Sequence, residues 1–404
     1  MVHSLLLALS RNGIYNFFKE KKMNINWKMG LFIIPLIMIT ASCTPQTEEK
    51  ISAERSAIPA DAVRLTVCYP SAGSLRALIN LKERGIFDPP GLHVTGIYHE
   101  KEFTDYQRSR DMVRNQGLDW ISFEEISGEL TPDNLFQTNP LTSDYRRIFE
   151  ASDGLIFFGG ADIPPYLYGE KTRLLTSIRT PYRHFFELSF VFHLLGGHQD
   201  PAFSPLLEEA PEFPILGICL GEQTLNVGTG GTMIQDIWSE IYGLSYLEDI
   251  TQLDMVNWHT NPWSRLYPRF RLFSYNLHPI RLAEGIFIDQ MGFKPEDNPL
   301  ILSAHHQAAD ELGKGFKTAA ATLDGKVKEA LAHSRYPHVL GIQFHPEFPL
   351  LWDEEAAFKM TPDDETEFNP LQKLSRHPPS LDFHKKIWNW LAEKISLYHS
   401  RSQE

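Results

Sequence analysis

The sequence predicts an α/β domain, a doubly wound and mostly parallel sheet with helices on both faces. Three observations predict it. Apolar runs of strand length alternate with stretches of helical spacing between Val63 and Leu195. The run Phe213–Ile218 ends in Gly217-Ile218-Cys219-Leu220-Gly221, and a later one ends in Phe344-His345-Pro346-Glu347. Strands that alternate with helices can pair only through crossovers, which makes neighbouring strands parallel.

In chain order, Val63–Tyr69 reads as a first strand, Ser74–Arg84 as a helix, and Leu92–Tyr98 as a second strand. Phe103–Asn115 follows as a helix and Asp119–Phe123 as a short strand. Tyr145–Ala151 leads into the strand Gly154–Phe158, and Tyr182–Leu195 is helical. Phe213–Ile218 is the next strand and Glu222–Val227 a helix behind it. Gly341–Phe344 is another strand, which Pro346 stops. Asp382–Leu397 carries Phe383, Ile387, Trp390, Leu391 and Ile395 at helical spacing, a packing face. In this arrangement Cys219 and His345 both fall at carboxyl ends of strands, where open α/β sheets bind their ligands.

The strand–Gly-x-Cys-x-Gly–helix stretch has the form of a nucleophile elbow. Such a corner holds its central residue in a strained conformation and presents the side chain outward. Gly217 and Gly221 suit it because a side chain at either position would collide across the turn. The amides of the following helix would point at the Cys219 sulfur. His345 supplies a base, and Glu347 can hold its tautomer. A third stretch, Asp153 to Asp162, runs an apolar strand into Gly159-Gly160, where bare backbone can approach a developing oxyanion.

With these pieces in place, the chain resembles the class I glutamine amidotransferase-like superfamily, which is flavodoxin-like in fold. Within it, the chain is similar to the γ-glutamyl hydrolase-like cysteine peptidases, including γ-glutamyl-γ-aminobutyrate hydrolases. The resemblance rests on Gly159 to Pro165 with Tyr168-Gly169-Glu170, Pro214 to Gln223, and Leu225-Asn226-Val227 with Gly230-Gly231-Thr232. It continues through Ser303-Ala304-His305-His306-Gln307 and Gly341 to Glu347, so that it covers residues 151–349. It implies Cys219 as nucleophile, His345 as general base and acid, and Glu347 as its orienter. It also implies the amides of Gly160 and Leu220 as oxyanion donors, with Gln223 and His306 near the substrate. The chain departs from the hydrolases at Leu220, often Arg there, and at Leu302, where the family has Asn. The implied reaction is hydrolysis of a γ-glutamyl amide or isopeptide through a γ-glutamyl thioester, with no metal or organic cofactor. Two other readings stand beside it: a glutaminase subunit feeding a synthase, and a lipoprotein that binds γ-glutamyl ligands without turnover.

Residues 1–42 read as a signal peptide, of which 1–22 need not be translated if Met23 is the start. Lys28 precedes the uncharged run Met29–Ala41, and Thr40-Ala41-Ser42-Cys43 resembles a bacterial lipobox. Acylation of Cys43 would anchor an exported protein to a membrane facing the periplasm or cell surface. Residues 43–60 would be the tether and 61–404 one hydrolase domain, with an insertion at 250–277 and an extension at 350–404. The net charge of −13 is concentrated in the body, because the few charged residues of 1–42 are mainly basic. An acidic body of this kind disfavours nucleic acid as a partner. The insertion sets Trp258, Trp263, Tyr267, Phe270, Phe273 and Tyr275 among Arg265, Arg269 and Arg271, a candidate pocket rim for a substrate carboxylate. Three cysteines exclude a disulfide scaffold, and Cys68 reads as a packed strand residue. His184, His193 and His198 lack close metal-ligand spacing, so the sequence nominates no metal site.

Overall fold

The computed structural model describes residues 58–59 and 61–403. The signal peptide, Cys43 and most of the tether lie outside the described residues. Val63–Cys68 (β1), Leu92–His99 (β2), Ile121–Ile126 (β3), Gly154–Phe157 (β4) and Ile215–Ile218 (β5) alternate with four helices. These are Ala72–Glu83 (α1), Tyr106–Asn115 (α2), Thr142–Glu150 (α3) and Pro181–Leu195 (α4), and the elbow helix Leu220–Gly228 (α5) follows β5. After Met233–Ile234 (β6) come short helices at Ile237–Glu240 (α6), Leu247–Ile250 (α7) and Pro262–Leu266 (α8). Asn276–Leu282 (β7), Leu300–Ser303 (β8), Ala308–Ala309 (β9), Phe316–Thr322 (β10), Lys328–His333 (β11) and Val339–Ile342 (β12) complete the strands. Pro370–Ser375 (α9) and Ser380–Ser402 (α10) close the chain.

One 10-stranded sheet has the order β3-β2-β1-β4-β5-β12-β11-β10-β7-β8. From β3 to β12 every pairing is parallel. From β12 to β8 every pairing is antiparallel. The parallel half is the doubly wound sheet that the alternation predicts. The antiparallel wing has no helical crossovers in its sequence, and no alternation announces it. The wing curls back, so that the backbone N–H of His345 donates to the carbonyl of Leu302 on edge strand β8 (2.9 Å).

Burial follows the sheet's two faces. Val67, Ile156, Leu216 and Ile218 pack on one side with Trp388, Leu391 and Ile395 of α10. Leu155, Phe157 and Ile215 pack on the other with Phe186 and Phe190 of α4 and Leu225 of α5. Side chains alternate across each strand, so both faces of a parallel sheet must be apolar and helix-covered. That requirement explains the fully apolar β4 and β5. Cys68 is fully buried in β1, as the strand reading expects. Among the described residues no helix is long and apolar enough to cross a membrane.

Candidate active site

Three adjacent parallel strands end at the same place. β4 pairs with β5, and β5 pairs with β12, so the loops after Phe157, Ile218 and Ile342 lie side by side. The first carries Gly159-Gly160, the second Cys219, and the third His345 and Glu347.

Cys219 has φ 53° and ψ −106°, outside the region that L side chains prefer. Its backbone N–H is held by the carbonyl of Ile342 (2.7 Å), and the Gln223 N–H donates to its carbonyl (3.2 Å). The glycines on either side are required by contact. A Cβ on Gly217 would stand 2.6 Å from the backbone of Gly221, and one on Gly221 would stand 2.0 Å from the carbonyl oxygen of Phe157. The elbow is thus packed backbone against backbone. Leu220 is the first residue of α5, and the amides of a helix's first turn have no partner within the helix.

His345 and Glu347 are buried, at 5 % and 4 % exposure. His345 Nδ1 donates to Glu347 Oε1 at 2.6 Å, which leaves Nε2 to work on the sulfur or the substrate. Phe348 stacks on the imidazole with ring centroids 4.2 Å apart. Trp352 and Trp388 both donate their indole N–H to the Pro346 carbonyl (3.2 Å each), pinning the loop between them. Burial alone would push the imidazole down. The charge of Glu347 and the Cys219 sulfur outweigh it and raise His345 to about 10. The Glu347 pairing thus favours the imidazolium form.

The Gly159-Gly160 loop is held from behind by Arg183 of α4. Its guanidinium donates to the carbonyls of Phe158 (2.6 Å) and Gly159 (3.1 Å) and to Glu187 (2.8 Å), and lies 3.6 Å over the Tyr69 ring. Those two carbonyls therefore face Arg183. A cavity of about 370 Å³ opens beside the loop, lined by Tyr69, Gly160, Ser177, Arg179, Thr180 and Arg183 among others. Sequence reading missed Arg183 and Tyr69. The available signal for Arg183 was a charged pair four residues apart inside a mostly apolar helix; Tyr69, whose φ is 62°, offered none.

Gln223 is buried, and its amide donates to Gln343 Oε1 (3.0 Å). His306 Nε2 sits 3.2 Å from both oxygens of Asp162, with Nδ1 3.6 Å from Asp236. Those carboxylates overcome burial and raise His306 to about 9. His306 therefore clamps the loop that contains Asp162. Neither Gln223 nor His306 lines the cavity beside Gly160. The insertion packs on the C-terminal extension, where Phe273 meets Phe358 and Phe368 and Asn261 donates to the Met360 carbonyl. Its arginines Arg265, Arg269 and Arg271 are exposed. Its Tyr275 contacts Phe348, the residue stacked on His345, edge-on at 5.2 Å.

A backbone-cradled cysteine, a buried His–Glu pair and a two-glycine loop suit acyl transfer. Known proteins agree with that class. A family model described as Peptidase C26 matches residues 134–347, from before β4 to Glu347. The candidate glutamine amidotransferase-like protein YvdE of Lactococcus lactis is 30% identical over 217 residues, 53% of this chain and 73% of the relative. The candidate glutamine amidotransferase Rv2859c of Mycobacterium tuberculosis is 29% identical over 52% of this chain and 55% of its own length. Anthranilate synthase beta subunit 1 of Arabidopsis thaliana is 26% identical over 38% of this chain and 45% of the relative. On the family match and this site, the chain belongs to the Peptidase C26 family, with a glutamine amidotransferase-like cysteine-hydrolase core.

Proposed function

We propose that the protein is a γ-glutamyl hydrolase acting on small γ-glutamyl amides or isopeptides. The observation that carries the reading is the convergence of Cys219, His345–Glu347 and Gly159-Gly160 at the ends of β5, β12 and β4. Cys219 Sγ, its proton held by His345, attacks the γ-carbonyl carbon, and the carbonyl π pair moves onto oxygen. Amides of Gly160 and Leu220 stabilise that oxyanion, a contribution of about 10²–10³ per donor. As the tetrahedral species collapses, the C–N bond breaks and His345 Nε2 gives its proton to the departing amine. Water, deprotonated by the same imidazole, then adds to the γ-glutamyl thioester, and the C–S bond breaks to release glutamate.

The cavity meets the site at Gly160, although neither Cys219 nor His345 lines it, and it would take the glutamyl group on the side of that loop. Ser177, Thr180 and Arg179 offer hydroxyl and guanidinium donors to an α-carboxylate. A site with such donors discriminates strongly, because a substrate lacking the matching groups leaves them unpaired. The test is glutamate release from γ-glutamyl-γ-aminobutyrate, γ-glutamyl dipeptides, poly-γ-glutamate, glutamine and matched α-linked peptides. Turnover of several γ-glutamyl amines is the expected result. Cleavage confined to α-linked peptides overturns the assignment, and turnover confined to glutamine returns the glutaminase reading that the relatives' names favour.

We also propose export and acylation at Cys43, supported by Lys28, the uncharged run to Ala41 and the small residues before Cys43. Mass spectrometry of membrane-extracted protein should find an acylated N-terminal Cys43. An unmodified Cys43 within a longer soluble chain would count against it.

A further inference from the structure

Outside the catalytic set, four polar side chains converge in the antiparallel wing. They are His259 of the insertion, His278 of β7, His305 between β8 and β9, and Glu329 of β11. None is more than 4 % exposed. His259 Nδ1 lies 3.3 Å from Glu329 Oε1, His278 Nε2 lies 3.7 Å from the same oxygen, and His305 Nε2 lies 3.5 Å from Oε2. All of these nitrogens and both carboxylate oxygens lack a hydrogen-bond partner. Buried polar atoms are almost always paired, so these five orphans, with His259 Nε2 as a sixth, need an explanation.

The tautomers sharpen the problem. His305 Nδ1 donates to the Gln307 carbonyl (2.8 Å), and His278 Nδ1 to the Pro279 carbonyl (3.3 Å). With Nδ1 protonated, a neutral ring offers a bare lone pair at Nε2. Two such lone pairs then face the carboxylate oxygens, acceptor against acceptor. An imidazole whose other nitrogen donates to a backbone carbonyl is the usual arrangement of a metal-bound histidine. The spacing agrees. Hydrogen bonds run about 2.7–3.2 Å, whereas ligands on a tetrahedral zinc with bonds near 2.0–2.1 Å stand about 3.3–3.4 Å apart. Donor atoms of His259, His305 and Glu329 all lie within 4.8 Å of one another.

We propose that His259, His278, His305 and Glu329 form a closed structural site for one divalent transition-metal ion, zinc by its imidazole and carboxylate donors. The Glu222 carboxylate on α5 is also buried, with both oxygens unpartnered. The ion would tie the insertion, β7, the β8–β9 loop and β11 into one unit behind His306. Because no ligand reaches solvent, the site holds structure and takes no part in turnover.

The experiment is elemental analysis of the full chain purified without chelator, beside Cys219→Ser, Glu329→Gln and His278→Asn variants. Wild type and Cys219→Ser should each carry about one zinc, and the other two less than about a tenth. Because those variants can fail to fold, wild type is also unfolded in guanidinium with EDTA and refolded with either Zn²⁺ or EDTA. The Zn²⁺-refolded protein should melt at a higher temperature and release its metal only on unfolding. Wild type that holds no zinc as purified, and melts identically after both refoldings, overturns the site in favour of a proton-sharing cluster. Zinc lost in Cys219→Ser but kept in Glu329→Gln overturns it as well, since the metal would then sit on the nucleophile.

Discussion

Cys219 and His345 meet across the one backbone position between them that has no side chain. A Cβ on Gly159 would stand 3.4 Å from Cys219 Cβ and 3.2 Å from His345 Cε1. The second distance is tighter than ordinary contact, so Gly159→Ala must displace the imidazole by a few tenths of an ångström. The imidazole is held by Phe348 and Glu347, so the shift falls on the proton-transfer geometry. The expected outcome is a cooperative melt close to wild type with kcat reduced by up to about 10²-fold. Steady-state kinetics beside a thermal melt check it. Full activity would mean that His345 is free to relax without cost.

The Cys219 backbone makes a separable prediction about stability. At φ 53° and ψ −106° any Cβ is strained, whatever the side chain does chemically. Cys219→Ala and Cys219→Gly should both abolish turnover, by at least about 10³-fold. Only the glycine variant relieves the backbone, and it should exceed the alanine variant in stability by about 1 kcal/mol. Urea denaturation of the two variants measures the difference directly. Equal stability would show that the strain is not carried by this residue.

The raised His345 value fixes the sign of a pH effect. An imidazolium that persists to about 10 remains available to protonate the leaving amine through neutral and mildly alkaline pH. The alkaline limb of kcat/KM should therefore lie near 10 in the wild type. Glu347→Gln removes the largest raising influence, so the limb should move toward neutrality. Stability follows the same sign. The pairing contributes fully below about pH 6.5 and is lost as pH rises through about 10. Rate profiles across pH 6 to 11 would test it, and an alkaline limb unmoved by Glu347→Gln would remove Glu347 from its role.

The legible parts of this site are those fixed by neighbours in sequence. Gly217, Cys219 and Gly221 bracket one turn, and His345, Pro346 and Glu347 another, so spacing alone betrays the geometry. The parallel sheet is legible for a similar reason, since each helix lies between the strands it connects. The wing is not. Its hairpin-like returns between β7 and β12 carry no crossover helices, and His259, His305 and Glu329 come together from three separate segments, with His278 beside Glu329 from a fourth. His306 shows a different limit. The family resemblance places it near substrate, and its ion pairs with Asp162 and Asp236, far away in sequence, could not be read from the local motif.

That clamp predicts a second titration. His306 holds its proton to about 9 between the two carboxylates. Its contribution to stability is whole below about pH 6.5 and disappears as pH climbs through about 9. His306→Asn should lower the urea midpoint at pH 6 and leave it almost equal to wild type at pH 10. The informative quantity is the difference between the two curves, because His345 titrates in both proteins. A difference that does not vary with pH would mean that His306 acts through packing alone.

Arg183 yields the sharpest separation of structure from catalysis. It is fully buried, paired with Glu187, and spends its remaining donors on the carbonyls of Phe158 and Gly159. Arg183→Met strands the Glu187 carboxylate and should cost about 3–5 kcal/mol. Replacing both partners, Arg183→Met with Glu187→Met, removes the stranded charge and should recover much of that loss. It cannot recover the two bonds to the loop. Arg183→Lys keeps a charge for Glu187 but lacks the planar fork that reaches both carbonyls at once. If Arg183 positions the Gly159-Gly160 loop, the double variant and Arg183→Lys should both fold while kcat stays down by about 10–10²-fold. KM should change much less, because the lost interaction matters to the oxyanion and not to the bound ground state. A stable double variant with wild-type kcat would show that packing alone sets the loop, and would return Arg183 to a purely structural role.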